Sequence, residues 1–508
     1  MEGIGLTVLV VLIVSFILSF LAVSLILRLS HNNKWFDHVN ERKMHTGNIP
    51  RLAGIGFATA FLTVVVVFSI LFRGAESNIR GLPCLLALLL ILLFGMLDDF
   101  FPLKPRYKLL VQFVAALIVI FSGYTFKRIA YIDIGILPEP LGYVLTLLWI
   151  IGITNAVNLI DGIDGLAGSI SGLIALSLGF IFLYNGNDPL LILYSAALVG
   201  VILGFLLFNA PMPKAKIFMG DCGSQFLGFS LALLPLMGSN SPQDNPAALP
   251  VLYAVALLLI PIFDIIAAVW RRIRDGVKIF SPDKSHVHHK LVDIGLGIRK
   301  GGTVLCILQV ILGVLVFVSI RLSGLPALYV VGSAYIIVIA FFTAIHYIYW
   351  AALKGNRLQI PSHHNLDYDN DTKIKPASTL LRAILFRLPA PLIITAITIL
   401  SSQSTLPGGA FFPGLDKFLH FIAYTALAAA VGLWFSGESW IKRPLRNFLL
   451  CIAVASVYGA LDEFHQYFIP GRSCDFWDWV ADTVGGAAGA TMILVINRRF
   501  RQGIQISQ

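Results

Sequence analysis

Apolar residues fill this chain in blocks of about 17 to 25, the length that carries a helix across a bilayer, and short polar segments separate the blocks. The pattern predicts helices near 5–29, 53–73, 82–97, 108–126, 141–157, 170–186, 190–208, 223–238, 250–270, 303–321 and 326–350, then near 384–401, 416–435, 447–461 and 479–496. The expected fold is therefore an all-α polytopic membrane protein, with about eleven spans in a first unit and about four in a second. The first block, Gly5 to Leu27, is too long for a signal-peptide core and lacks a basic start and a cleavage site, so it reads as a retained helix. Gly168/Gly172, Gly200/Gly204 and Gly485/Gly489 have the spacing of closely packed helices.

The polar stretch Ala352 to Leu380, with Pro361, Pro376, His363 and His364, marks the best boundary. It predicts a membrane domain over 1–351, a cytoplasmic linker over 352–383, a four-helix membrane domain over 384–496 and a basic tail over 497–508. Asp367, Asp369 and Asp371 open like a calcium loop, but Thr372 stands where Gly is needed and Ser378 where the bidentate Glu belongs. A solvated linker fits better.

Composition narrows the classes. Only 13% of the residues are charged, against about 25% in soluble domains. The five cysteines form no C-x-x-C pair, which argues against a zinc site and a disulfide framework. A net charge of +10 would suit nucleic acid, but basic residues beside apolar spans set topology instead. With the amino terminus outside, the cytoplasmic loops hold 30 of the 37 Lys and Arg residues; the opposite orientation inverts that ratio. The carboxyl terminus is then expected in the cytoplasm.

That orientation sorts the polar loops into two sets. The cytoplasmic set holds Asp98-Asp99, the run N-A-V-N-L-I-D-G-I-D-G-L-A-G from Asn155 to Gly168, Lys214 to Asp221, and the loop D-K-S-H-V-H-H-K from Asp283 to Lys290. Asn155, Asn158, Asp161 and Asp164 recur every third residue, so on a helical path they share one stripe. A lone Asn or Asp there would be an ordinary helix cap; four in register point to a polar ligand. Adjacent carboxylates at Asp98 and Asp99 call for a cation or proton, although a solvated helix end beside Lys104 and Arg106 would leave the same residues. Asp221 sits between glycines in F-M-G-D-C-G-S, and hard oxygen donors from several loops match a magnesium ion shared with substrate phosphates. Three histidines flanked by Lys284 and Lys290 suit phosphate or nucleotide contacts better than zinc. Asp264, inside P-I-F-D, is expected to pair with Arg271 or Arg272. Together these groups form the equipment of phosphoryl transfer, which is mostly positioning and charge neutralisation. Buried carboxylates also mark transport routes, which keeps a transporter or flippase for a lipid-linked molecule as the competing class.

Residues 1 to about 350 resemble the polyprenyl-phosphate N-acetylhexosamine-1-phosphate transferases of glycosyl transferase family 4. The resemblance rests on R-K-M-H-T-G-N-I-P-R-L-A-G-I-G (Arg42 to Gly56), L-D-D-F (Leu97 to Phe100), the Asn155 run, F-M-G-D-C-G-S and D-K-S-H-V-H-H-K-L. The form H-V-H-H-K-L looks like the branch using UDP-N-acetylglucosamine or a related UDP-sugar; the P-x-H-H-H form of the muramoyl-pentapeptide branch is absent. Ala53 stands where the family often has the first of two glycines. The resemblance implies transfer of a sugar-1-phosphate from a UDP-N-acetylhexosamine to undecaprenyl phosphate in the bacterial cytoplasmic membrane, with UMP released, at the start of cell-envelope polysaccharide synthesis. It implies Mg²⁺, with Mn²⁺ as the alternative, held by Asp221 with support from Asp99. It gives Asp98 the deprotonation of the lipid phosphate, with Asp99 beside it. It places Asn155, Asn158, Asp161, Asp164, His286, His288, His289 and Lys108 against the substrates. Direct attack and a covalent aspartyl route both stay open, as do the exact sugar and a possible homodimer.

The last quarter resembles the VanZ-like family through D-K-F-L-H-F-I-A-Y (Asp416 to Tyr424), L-D-E-F-H-Q-Y-F-I-P-G-R (Leu461 to Arg472) and D-F-W-D-W-V-A-D-T-V-G-G, with Asp482 where that family usually has Asn. Asp416, His420, Asp462, Glu463, Gln466, Arg472 and Asp475 are its candidate outward-facing polar site; a salt-bridged loop cluster is the plainer alternative.

Overall fold

The computed structural model describes residues 2–36, 49–73, 81–101, 103–127, 137–186, 188–210, 215–239, 250–275, 286–322, 325–354, 387, 389–401, 415–435, 437–469 and 474–504. A helix stands at each of the fifteen expected positions. The first unit contains α1 (Glu2–Asn32), α2 (Ala53–Arg73), α3 (Leu82–Phe100), α4 (Pro105–Phe121), α5 (Glu139–Ile160), α6 (Leu166–Tyr184), α7 (Pro189–Asn209), α8 (Gly220–Ser239), α9 (Val251–Leu257), α10 (Leu259–Asp275), the single turn α11 (Val287–Leu291), α12 (Gly297–Arg321) and α13 (Leu325–Lys354). The second contains α14 (Pro389–Ser401), α15 (Leu415–Gly432), the short α16 (Gly437–Lys442), α17 (Pro444–Gln466) and α18 (Phe476–Ile504). No strand occurs among the described residues. The chain divides into two compact units, Met1–Arg272 with Ile279–Tyr368, and Ile273–Lys278 with Asp369–Gln508. The expected linker over 352–383 lies almost wholly outside the described residues.

Among the described residues nine helices are long and apolar enough to cross a membrane, ten if α9 and α10 count as one bent span. That is fewer than the fifteen expected, for local reasons. Helices α4 and α14 have 17 and 13 residues, and α8 opens on the polar G-D-C-G-S-Q. The block at 250–270 is not one helix: α9 and α10 meet at 83°. Pro261 explains the break, because it has no N–H to give the Leu257 carbonyl one turn earlier. Gln309 Nε2 on α12 donates to that carbonyl at 2.9 Å, and Tyr335 Oη on α13 donates to Leu252 O at 2.7 Å. In an apolar slab every backbone carbonyl needs such a partner.

Helix α7 is the core of the first unit, buried over most of its length and packed against α1, α2 and α6. Gly200 and Gly204 bring it onto the α1 backbone: a Cβ at either would stand 2.5 Å from Leu12 O or 2.7 Å from Phe16 O. Gly485 and Gly489 do the same for α18 against the carbonyls of Phe421 and Thr425 on α15. The glycine spacings are thus packing devices. Leu6, Leu21, Leu86, Leu148 and Ile336 remain exposed on the outer faces, as side chains meeting lipid tails would.

Candidate active site

Two short stretches running in the same direction fix the floor of the site. Phe218 N donates to Pro50 O at 2.8 Å, Ala53 N to Phe218 O at 3.1 Å and Gly54 N to Met219 O at 2.9 Å. This pairs the segment before α2 with the segment before α8. Ala53 is fully buried, and its amide contact needs no glycine. The chain then turns at Gly220, whose φ of +74° suits glycine. The opening of α8 follows directly.

The last turn of α3 delivers its two carboxylates to different tasks, as a 100° step between neighbours requires. Asp99, with no exposed side-chain surface, accepts the amides of Asp221 (2.9 Å) and Cys222 (3.1 Å) and pairs with Arg51 at 3.2 Å. It caps the otherwise unpaired N–H groups of α8. Asp98 accepts the Leu103 amide at 2.9 Å and pairs through its other oxygen with Lys108 Nζ. Asp221 Oδ2 lies between two cations, Lys108 at 3.0 Å and Arg51 at 3.3 Å.

The wall beside this cluster comes from α4, α5 and α8. One turn beyond Lys108, Gln112 donates to Gln225 Oε1 at 3.2 Å and accepts from Asn155 Nδ2 at 2.6 Å. Ser224 Oγ donates to Asn158 Oδ1 at 2.6 Å. The stripe that a continuous helical path would give these four residues is cut short. Helix α5 ends at Ile160, so Asn155 and Asn158 share a helical face, Asp161 is the residue that follows the last turn, and Asp164 lies in the loop. Asp164 accepts the Ala215 amide at 3.2 Å, and Asn209 closes the same loop by accepting from Gly165 N at 2.8 Å and donating to Ile217 O at 3.0 Å. Asp161 keeps some open surface, yet the protein crowded around its carboxyl and the nearby Asp221 charge push it up to about 7, with Arg51 opposing.

The histidines approach from α11. A methyl group at Gly162 would fall against the His288 ring, 2.9 Å from Cε1 and closer to Nε2. His288 therefore stands next to the Asp161 loop. Its ring is 1% exposed and neither nitrogen has a hydrogen-bond partner among the described residues. A buried imidazole left so is costly unless a ligand arrives. His286 stacks on it with ring centres 5.7 Å apart, and His289 lies 4.3 Å away. Asp264 anchors this turn. Its partners are His286 Nδ1 and the Val287 amide, both at 2.8 Å, in place of the expected Arg271 or Arg272. Lys290 reaches His346 at 3.5 Å.

The structure thus joins Asp98, Asp99, Lys108 and Asp221 by ion pairs and amide contacts, ties Asn155 and Asn158 to Gln112 and Ser224, and sets His286, His288 and His289 beside the loop that carries Asp161 and Asp164. Sequence reasoning missed Arg51, Gln112, Ser224, Gln225, Asn209 and the role of Asp264. Gln112 and Gln225, amides inside apolar helices, were the available signal. The acidic groups stand at helix ends: Asp98 and Asp99 close α3, Asp161 follows α5 and Asp221 opens α8. A transport route would favour the span interior. Asp98, Asp161 and Asp221 offer hard oxygen atoms near Arg51 and Lys108, while both oxygens of Asp99 are taken by the amides of α8. The donor set fits a hard divalent cation such as Mg²⁺.

In the second unit the structure joins His420, Asp462, Glu463, Gln466 and Asp475 with Lys417, Asp478 and Asp482. Lys417 Nζ pairs with Asp475 at 2.8 Å and Asp478 at 3.2 Å, and His420 Nδ1 meets Asp482 Oδ1 at 2.9 Å. Gln466 Nε2 donates to Asp462 Oδ2 at 3.1 Å. Arg472 and the side chain of Asp416 lie outside the described residues.

Two family models match the chain: glycosyl transferase family 4 over residues 82–239 and VanZ/LLP1 over residues 328–497. The chain is 32% identical over 312 residues to a probable undecaprenyl-phosphate N-acetylglucosaminyl 1-phosphate transferase of Bacillus subtilis, covering 60% of this chain and 83% of that one. It is 29% identical over 298 residues to the undecaprenyl-phosphate alpha-N-acetylglucosaminyl 1-phosphate transferase of Yersinia pestis, covering 57% and 78%. Against the decaprenyl-phosphate N-acetylglucosaminephosphotransferase of Mycobacterium leprae the identity is 30% over 308 residues, covering 56% and 76%. These matches show that the chain belongs to glycosyl transferase family 4 and continues into a VanZ/LLP1 segment.

Proposed function

We propose that the first unit transfers N-acetylglucosamine-1-phosphate from its UDP-sugar to undecaprenyl phosphate, releasing UMP. The observation that carries this reading is the Asp98–Lys108–Asp221–Arg51–Asp99 chain of ion pairs in a chain whose relatives in Bacillus subtilis and Yersinia pestis are named for that transfer. An oxygen of the lipid phosphate attacks the sugar-bearing phosphorus, the diphosphate P–O bond breaks, and UMP departs with the bridging oxygen. Asp98 takes the proton from the acceptor phosphate. Lys108, released from its carboxylates, meets the incoming phosphate, while Arg51 balances charge beneath. A magnesium ion, with Mn²⁺ as its substitute, would be held chiefly by Asp221 and would supply charge neutralisation on the diphosphate.

Asp99 serves best as a positioning residue, because both of its oxygens hold the amides that open α8. His288, buried without a hydrogen-bond partner among the described residues, suits the donor nucleotide, with Asn155 and Asn158 on the wall and Asp161 and Asp164 in the loop that follows it as the further substrate contacts. The distribution of Lys and Arg, 30 of 37 in the segments then cytoplasmic, supports an amino terminus outside and a carboxyl terminus in the cytoplasm. Labelling single cysteines near Lys104 and Tyr329 from either side of sealed vesicles tests that orientation: Lys104 should react from the cytoplasmic side, and the reverse would refute it.

The deciding assay is UMP release from a panel of UDP-sugars by the purified protein in detergent with undecaprenyl phosphate. Asp221→Asn and Asp98→Asn should each lower turnover at least ~10³-fold, in keeping with loss of a group that acts on the developing charge. Wild-type turnover in either variant, or no turnover of UDP-N-acetylglucosamine by the unaltered protein, would overturn the assignment.

A further inference from the structure

The second unit buries more negative charge than a helix bundle tolerates without a reason. Asp462, Glu463, Asp478 and Asp482 are 4%, 3%, 7% and 0% exposed. Lys417 meets Asp478 and the more open Asp475, leaving the inner carboxylates around His420. Burying several carboxylates in an apolar bundle costs several kcal/mol per ion unless positive charge joins them.

Three helices converge at that point. His420 on α15, Glu463 on α17 and Asp482 on α18 each present a donor atom, and the three atoms lie within 4.8 Å of one another. A tetrahedral metal ion with bonds of about 2.0–2.2 Å holds its ligands about 3.3–3.6 Å apart, so the three side chains close up by about 1 Å when an ion binds. Two further observations point to a missing ligand. Asp482 Oδ2 is fully enclosed and has no hydrogen-bond partner among the described residues, and the same is true of the Tyr424 hydroxyl. Gly459 also leaves space at that oxygen, where a Cβ would stand 2.5 Å from it.

The groups behind the three donors are arranged as supports. Glu463 Oε2 accepts the Asp475 amide at 2.8 Å, and Gln466 Nε2 approaches Glu463 Oε1 at 3.4 Å while donating to Asp462. His420 stacks parallel to Tyr424 with ring centres 6.2 Å apart. Hydrogen-bonded carboxylates and a ring fixed in orientation are what ligands of a bound metal require.

We propose that His420, Glu463 and Asp482 bind one divalent transition-metal ion, with Zn²⁺ as the probe of choice, and that a remaining coordination position is open to water or an anion. One imidazole among carboxylates favours Zn²⁺ or Mn²⁺ over Mg²⁺ and Ca²⁺, which prefer oxygen alone. On binding, the ion replaces the proton shared by His420 Nδ1 and Asp482 Oδ1, and that proton passes to solvent.

The test uses the full-length protein in detergent, stripped with a chelator and dialysed against Zn²⁺ with excess Mg²⁺ present. Elemental analysis should find about one Zn²⁺ per chain, as a site with three protein ligands predicts. Co²⁺ loading should give the visible absorption of a low-symmetry nitrogen and oxygen site. His420→Ala and Asp482→Asn should weaken binding at least ~10-fold, the effect of disturbing a ligand or its support. Gly459→Ala, which removes no ligand, should weaken it too by displacing Asp482. UMP release by the first unit should persist in all three, which shows that they fold, and Asp221→Asn should leave Zn²⁺ uptake unchanged. No Zn²⁺ uptake by the unaltered protein, or uptake that survives both ligand substitutions, would overturn the proposal.

Discussion

Gly162→Ala should cripple transfer without unfolding the protein. Gly162 has no positive φ, so alanine is compatible with its backbone and the effect comes from crowding alone. The new methyl would stand 2.9 Å from His288 Cε1 and nearer still to Nε2, where the optimum for such atoms is about 3.5–4.0 Å. The ring must retreat by roughly 1 Å. It has little room, being 1% exposed and flanked by His286 and His289. A displacement of that size at a substrate-binding group costs about 10²-fold in rate, equivalent to ~2.7 kcal/mol in the barrier. The assay is kcat/KM for UMP release, compared across Gly162→Ala, His288→Ala and the double variant. If the methyl acts through the ring, the double variant is no worse than His288→Ala alone. Wild-type kcat/KM in Gly162→Ala, or fully multiplicative losses in the double variant, would refute the reasoning.

Asp264→Ala removes the acceptor for both His286 and the Val287 amide; about 1.5–3 kcal/mol for each hydrogen bond to a charged group predicts a clear fall in thermal midpoint in detergent, and KM for the UDP-sugar should rise with it. Asp161 gives a pH signature. Its carboxyl sits near 7 in the folded protein and near 3.9 when unfolded, so ionisation is opposed by the fold and its penalty grows from about pH 4 to about pH 7. Asp161→Asn should therefore raise the thermal midpoint at pH 8 relative to the unaltered protein and leave it equal at pH 4; an equal gain at both pH values counts against the argument. Gly95→Ala places a Cβ 2.6 Å from Cys222 Cα, forcing α3 from α8 at a cost of about 1–3 kcal/mol, and turnover should fall because Asp98 and Asp221 ride on those helices. Unchanged stability and turnover would contradict that close approach.

Hydrophobic blocks located every long helix because an apolar run of bilayer length has few other uses. The same signal could not show that Pro261 breaks the block at 250–270, because the outcome depends on Gln309 and Tyr335 supplying partners from later helices. Period-three spacing brought Asn155 to Asp164 to notice, and the apolar block near 141–157 ends close to the observed Ile160; Gly162 and Gly165 release the chain there, and tertiary contacts to His288 and Asn209 decide where each side chain goes. Asp98, Asp99 and Asp221 were legible as a set, while the division between them was not. Which carboxylate caps α8 depends on the direction in which α3 meets it. Asp264 was misread because nearby arginines in sequence were closer candidates than His286, 22 positions away. Asp482 was noticed only as a departure from a family pattern, and its place beside His420 emerged from the packing of α15 on α18.

The broken helix also bears on biogenesis. Ribosomes finish α9 and α10 before the group that satisfies the Leu257 carbonyl has been made, because Gln309 comes 52 residues later. Until then the bend would leave that carbonyl facing hydrocarbon, at a cost of several kcal/mol. Stable burial of the bend should therefore follow the arrival of α12 rather than precede it.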